Sequence, residues 1–347
     1  MATAISSAVY RLLPLVLLAL SAALPACAAA ADPVAELGAF SVFQNVDPTG
    51  LLKGEVKTAR SPAMNSARAL SVQSCYVVPG TPQQALAALQ RWNPASHPEL
   101  KIYVHGDLPA APTAASFSRL ENAPGNGAVR GLAQATAKQG PELQISREEA
   151  KKFPAAGGEG GGALPPNVRE FWANVLAGRA QDFVAGGASR QAAYDHTGQN
   201  VRPGEELGSL LRQQDKIRRQ FAGFLGDNGV EGRGSLKKEL YFELLNADDD
   251  GVLTLGSFSS KPVGGGFQAA DVSYYASGGY YAALSLYQMW PVEVGGQPAT
   301  LIWRGDLISA ASLASLHGVE KLASESAMMK NVSKAVNLLR RDSASGR

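Results

Sequence analysis

The 347-residue chain has two cysteines and four histidines, too few for a disulfide framework to hold a fold together. One of the two, Cys27, lies in a segment expected to be removed or lipidated. The other, Cys75, lies in a strand-like run, where a buried inert thiol is the expected role. Charge of one sign is equally scarce. Thirty-two Lys and Arg stand against thirty Asp and Glu, a formal balance of +2, which gives no electrostatic case for nucleic acid. No Gly-x-Ser-x-Gly elbow occurs, so Ser189 near Asp195-His196 does not make a serine hydrolase. The glycine cluster at 157–162 has no Gly-Lys-Ser or Gly-Lys-Thr after it, which leaves a phosphate loop without its context. The sequence implies no cofactor.

What is present begins with an address. Arg11 precedes an apolar run at 12–24, followed by Ala26-Cys27-Ala28-Ala29-Ala30-Ala31. That order of charge, short apolar region and small residues is expected of a secretory signal peptide over residues 1–31. Leu24-Pro25-Ala26-Cys27 also resembles a lipobox, through which Cys27 would anchor the protein to the envelope. Loss of the segment removes Arg11 and no acid, taking the formal balance from +2 to +1. No transmembrane span is expected in the mature chain. Periplasmic or extracellular residence follows from this reading.

The rest divides by pattern. Residues 32–107 read as a strand–helix–strand part of the main domain, in which Thr81 caps a helix that has Pro82 at its first position. Residues 108–166 are rich in Pro, Gly and Ala and are expected to be a flexible insertion. Residues 167–235 read as two inserted helices. Asn167 with Glu170 suggests a capping box, and the second helix is expected over 205–225. Within 236–341, the runs 237–245, 252–259, 268–276, 280–290 and 300–309 alternate with period two and are rich in β-formers. Asp250-Gly251, Gly264-Gly265-Gly266, Gly278-Gly279 and Gly295-Gly296 separate them as hairpin chemistry. A helical stripe closes the chain: Val319, Leu322, Met329, Val332, Val336 and Leu339. The fold class expected is α+β, an antiparallel meander sheet packed against a long C-terminal helix with an inserted helical segment.

That order of elements resembles START-like (helix-grip) domains. The resemblance is carried by Val77-Val78-Pro79-Gly80-Thr81-Pro82 ahead of a helix at 83–92, and by the strands and long helix of 236–341. It covers 69–105 and 236–341, with 108–235 as an insertion that would cap or fill the cavity. It implies a curved sheet around the last helix and an apolar cavity for a lipid or other hydrophobic ligand.

Several residue sets invite a chemical reading. His97, Glu99, His105 and Asp107 combine ligand types suited to zinc or another divalent ion, although on one strand they would share a solvated face with Lys101. Asn246, Asp248, Asp250 and Gly251 match the first half of a calcium loop, yet Ser257 stands where a bidentate Glu belongs, and a hairpin turn is the better account. Arg304-Gly305-Asp306 lies inside a strand, where Arg304 and Asp306 share a face and would pair across strands. Should a pocket exist, the face bearing Tyr274, Leu284, Leu286, Trp303 and Met329 is the candidate lining.

Together these readings favour an exported, non-catalytic protein that binds a hydrophobic small molecule or lipid between sheet and helix, with no catalytic residues assigned. The alternatives are a metal-dependent hydrolase built on His97, Glu99, His105 and Asp107, and an envelope interaction module that docks through the two middle helices near Arg212 and Arg219.

Overall fold

The computed structural model describes residues 32–154, 163–225 and 236–345. The signal-like segment with Cys27 and the glycine cluster at 157–162 lie outside them. The described residues belong to one compact unit, Asp32–Arg347, and its class is α+β. Among the described residues, eight strands form a single antiparallel sheet: β1 Lys57–Arg60, β2 Ala69–Pro79, β3 Ile102–Leu108, β4 Glu239–Ala247, β5 Asp250–Val263, β6 Gly266–Ala276, β7 Ala282–Val294 and β8 Gln297–Ser309. Their order is β1-β2-β8-β7-β6-β5-β4-β3. The five consecutive strands expected in 236–309 form the meander β4 to β8. The earlier strands add on at its two edges, β2 against β8 and β3 against β4.

Turn chemistry sets the registers. Gly264-Gly265 and Gly295-Gly296 take positive φ at both central positions, as two-residue hairpins of primed type require. Asp-Gly, expected to turn β4 into β5, does not do so. Asp248 and Asp249 occupy the two positive-φ positions instead, with φ of 51° and 69°, because Ala247 pairs with Asp250 and Gly251 is already inside β5.

The helices of the described residues are α1 Pro33–Phe40, α2 Pro48–Leu52, α3 Pro82–Arg91, α4 Gly127–Lys138, α5 Arg147–Ala150, α6 Pro166–Gly186, α7 Pro203–Arg212, α8 Asp215–Gln220 and α9 Val319–Ser345. Helix α3 starts as its sequence suggests: Thr81 accepts from Gln84 N, Gln84 answers the Thr81 backbone, and Pro82 stands at the first position. Three expectations need correction. Residues 108–166 are not one featureless insertion. They carry α4, capped by Asn126, and α5, capped reciprocally by Ser146 and Glu149. The helix expected over 205–225 is two, α7 and α8, interrupted at Gln213 and Gln214. The Asn167 box does not form, since α6 starts from Pro165 with no side-chain cap.

The sheet has two covered faces, and alternation sorts the strand residues between them, except where the register shifts between Leu255 and Gly256 and both Tyr274 and Tyr275 join one core. The larger core lies on one face, where Phe242, Leu255, Tyr274, Leu284, Leu286, Leu301 and Trp303 meet α1, α4, α6, α7 and α8. The Phe242 ring meets Phe117 edge-on there, with centroids 5.0 Å apart. The smaller core lies on the opposite face, where Leu70, Val72, Tyr76, Tyr287, Met289 and Ile302 meet α3, Leu313 and α9.

Helix α9 is held unevenly. Of its apolar stripe, Val332, Val336 and Leu339 are buried, as is Leu338 beside them, whereas Val319 is 80% and Leu322 48% exposed. Each buried aliphatic side chain contributes about 1.5–3 kcal/mol. The first half has the Arg60–Glu325 ion pair at 2.7 Å, with Arg60 substantially exposed, and such a pair contributes at most about 1 kcal/mol. The second half therefore anchors the helix. Polar clasps reinforce it: Arg340 donates to the carbonyls of Leu51 and Val77, and Trp92 and His97 both bond Asp342.

Candidate functional site

Between α9 and the sheet lies a partly open hollow of about 860 Å³. Ser324, Ala327, Asn331 and Ala335 of α9 line it. Met328, Val332, Val336 and Leu339 complete an apolar roof, and Leu70, Phe258, Ile308 and Leu313 extend the apolar wall.

The floor is polar, and strand alternation builds it. Positions on β4, β6, β7 and β8 between the large-core residues point the other way, which brings Tyr241, Glu243, Asp271, Tyr287, Arg304 and Asp306 to the hollow. Asp306 is 3% exposed. Arg304 donates through Nε to both its oxygens at 2.9 Å, and Ser285 Oγ donates to Oδ1 at 2.6 Å. This pair runs along one strand, two residues apart. The expected pairing across strands is therefore not made, and the tripeptide 304–306 is interior. Burial works against the Arg304 charge, but the Asp306 carboxylate outweighs it and holds the guanidinium above its ordinary range.

Tyr241 reaches across β5 to donate to Asp271 Oδ1 at 2.6 Å. Its ring lies over Gly256, where a Cβ would overlap it, so glycine is the residue that permits the bond. Asp271 is deep in the protein and half-buried because it lines the hollow. Desolvation pushes its carboxyl up to about 6, against the lowering effect of the Tyr241 hydroxyl. His105 Nδ1 is 3.0 Å from Glu243 Oε1. Burial disfavours the His105 charge, yet Glu243 beside it leaves the imidazole above its usual value. Tyr280 and Ser273 share a hydroxyl–hydroxyl bond of 3.0 Å at the same wall.

The residues expected to line a pocket lie elsewhere. Tyr274, Leu284, Leu286 and Trp303 are all buried in the larger core. Tyr274 stacks on Phe183 at 3.8 Å. Trp303 meets Phe40 at 4.8 Å and donates through Nε1 to Gln73. That face is filled by helices that pattern alone does not place. Met329 is on the correct side, partly buried against the smaller core, but its neighbour Met328 lines the hollow. Cys75 is fully buried on the filled face, and desolvation raises its thiol to about 12, which makes it a poor nucleophile.

The candidate metal set divides. His97 faces Asp342 at 2.7 Å near the end of α9, whereas His105 faces Glu243 on β4, with Asp107 3.7 Å from its other nitrogen. Among the described residues no group of three or more His, Cys, Asp or Glu side chains is arranged to hold a metal ion. Residues 246–251 form the β4–β5 hairpin. Among the described residues no helix is long and apolar enough to cross a membrane.

The residues missed from sequence, Tyr241, Asp271, Tyr287, Arg304 and Asp306, carried one usable signal. They alternate with the core positions, and the chain has helices enough to cover both faces of one sheet. No family model matches the chain, and no curated protein matches it.

Proposed function

We propose that this protein binds an amphipathic small molecule or lipid in the hollow beneath α9, and holds it without converting it. The observation that carries this reading is a space of about 860 Å³ with an apolar roof and a polar floor. Ligand pockets run to roughly 300–1,000 Å³, with few convergent polar groups in a mainly apolar lining. The helix-over-sheet arrangement is the one a START-like binding domain would use. The signal-like opening of the chain supports a role outside the cytoplasm.

Uptake of the neutral fluorophore N-phenyl-1-naphthylamine tests the reading. Wild-type protein purified without detergent is expected to bind it, and Ala335→Trp, which fills the hollow, to lose it with the circular-dichroism spectrum unchanged. Trp303→Phe, on the filled face, is expected to keep it. If wild type takes up no fluorophore, and native mass spectrometry finds no retained small molecule, the proposal fails.

A further inference from the structure

The charge around the hollow says what kind of head group it fits, given the binding role proposed above. Among the described residues six carboxylates line it, those of Asp107, Glu239, Glu243, Asp248, Asp271 and Asp306, against the guanidinium of Arg304 and the imidazole of His105. Asp107 and Asp248 are exposed at its margin, and Glu239 is met there by Lys237 and Gln90. The three deeper acids decide the matter. Asp306 is neutralised by Arg304, and Glu243 faces His105.

Among the described residues Asp271 forms no such ion pair. Its Oδ1 accepts from the Tyr241 phenol, and no described residue donates to Oδ2. Two rings flank it in the sheet: Tyr241 through that bond, and Tyr287, which lines the hollow from β7 opposite Ala269, two positions before Asp271. Aromatic rings around a carboxylate are a setting that attracts cations.

We propose that the ligand is a cationic amphiphile: a protonated amine or similar head seated on Asp271 between these tyrosines, with its hydrocarbon tail under α9. An anionic head would meet three acids, with Arg304 already committed to Asp306. A neutral head would leave the Asp271 charge uncompensated.

Calorimetric titration of the full chain with dodecylamine, dodecanol and dodecanoate, at pH 7.5 and below their aggregation limits, tests this. A charge-assisted bond predicts that dodecylamine binds about tenfold or more tighter than dodecanol, with dodecanoate weakest. Asp271→Asn is expected to bring dodecylamine down to the level of dodecanol and to leave dodecanol unchanged. Equal affinities for amine and alcohol, or a preference for dodecanoate, overturn the cationic head while the binding role stands. Equal loss of amine and alcohol in Asp271→Asn also overturns it, since the carboxyl would then serve as a neutral donor. If none of the three binds, the binding role itself falls.

Discussion

The Tyr241 hydroxyl and the Asp271 carboxylate are 2.6 Å apart across an intervening strand, and the strand between them carries Gly256 where the ring passes. The bond favours the ionised acid. Tyr241→Phe removes it, so the Asp271 midpoint is expected to rise above about 6. Carbon-13 titration of the labelled carboxyl measures this, and a midpoint that stays or falls contradicts the assignment.

Burial of Asp271 makes a second prediction, about stability. Its folded value, about 6, lies above the ordinary 3.8. Its contribution to stability is therefore complete below about pH 4 and is lost as pH rises through 6. Asp271→Asn removes that loss, so the variant's advantage over wild type should grow across this window to roughly 3 kcal/mol at most. Urea unfolding of both ligand-free proteins at pH 4 and pH 7 measures the difference. An advantage that does not change with pH would contradict the buried placement.

In the larger core Arg179 is 2% exposed and donates to both oxygens of Glu149 at 2.8 and 2.7 Å, stacked 4.4 Å over the Tyr275 ring. Removing one member leaves the other charge buried. Arg179→Met is expected to cost about 3–5 kcal/mol, and Glu149→Gln to add less in its presence than alone. Strictly additive losses in denaturant unfolding would show that the pair is not coupled.

The two halves of α9 should exchange amide hydrogens at different rates. Residues 319–330 bury little, whereas 332–341 carry the buried aliphatic residues and the Arg340 clasp. Local opening follows buried contact, so the first half is expected to exchange faster, and a ligand in the hollow to slow it. Uniform protection along the helix would count against this.

Much of the architecture was legible. Period-two runs between glycine turns located β4 to β8, and Thr81 with Pro82 located the start of α3. Those signals are local, because backbone preference and turn geometry act within a few residues. The alternation also separated Trp303 from Arg304, and Leu284 and Leu286 from Tyr287. It could not say which side would be filled.

The sequence by itself determined the strand alternation, the hairpins and the sorting of side chains into two faces, because each depends on neighbours a few positions away. Only the tertiary structure decided that α1, α4, α6, α7 and α8 would pack solidly on the aromatic face, and that a hollow would remain between α9 and the polar one. That choice depends on how helices far apart in the chain fit against a shared sheet, and volumes that meet across such separations leave no periodic trace in the sequence.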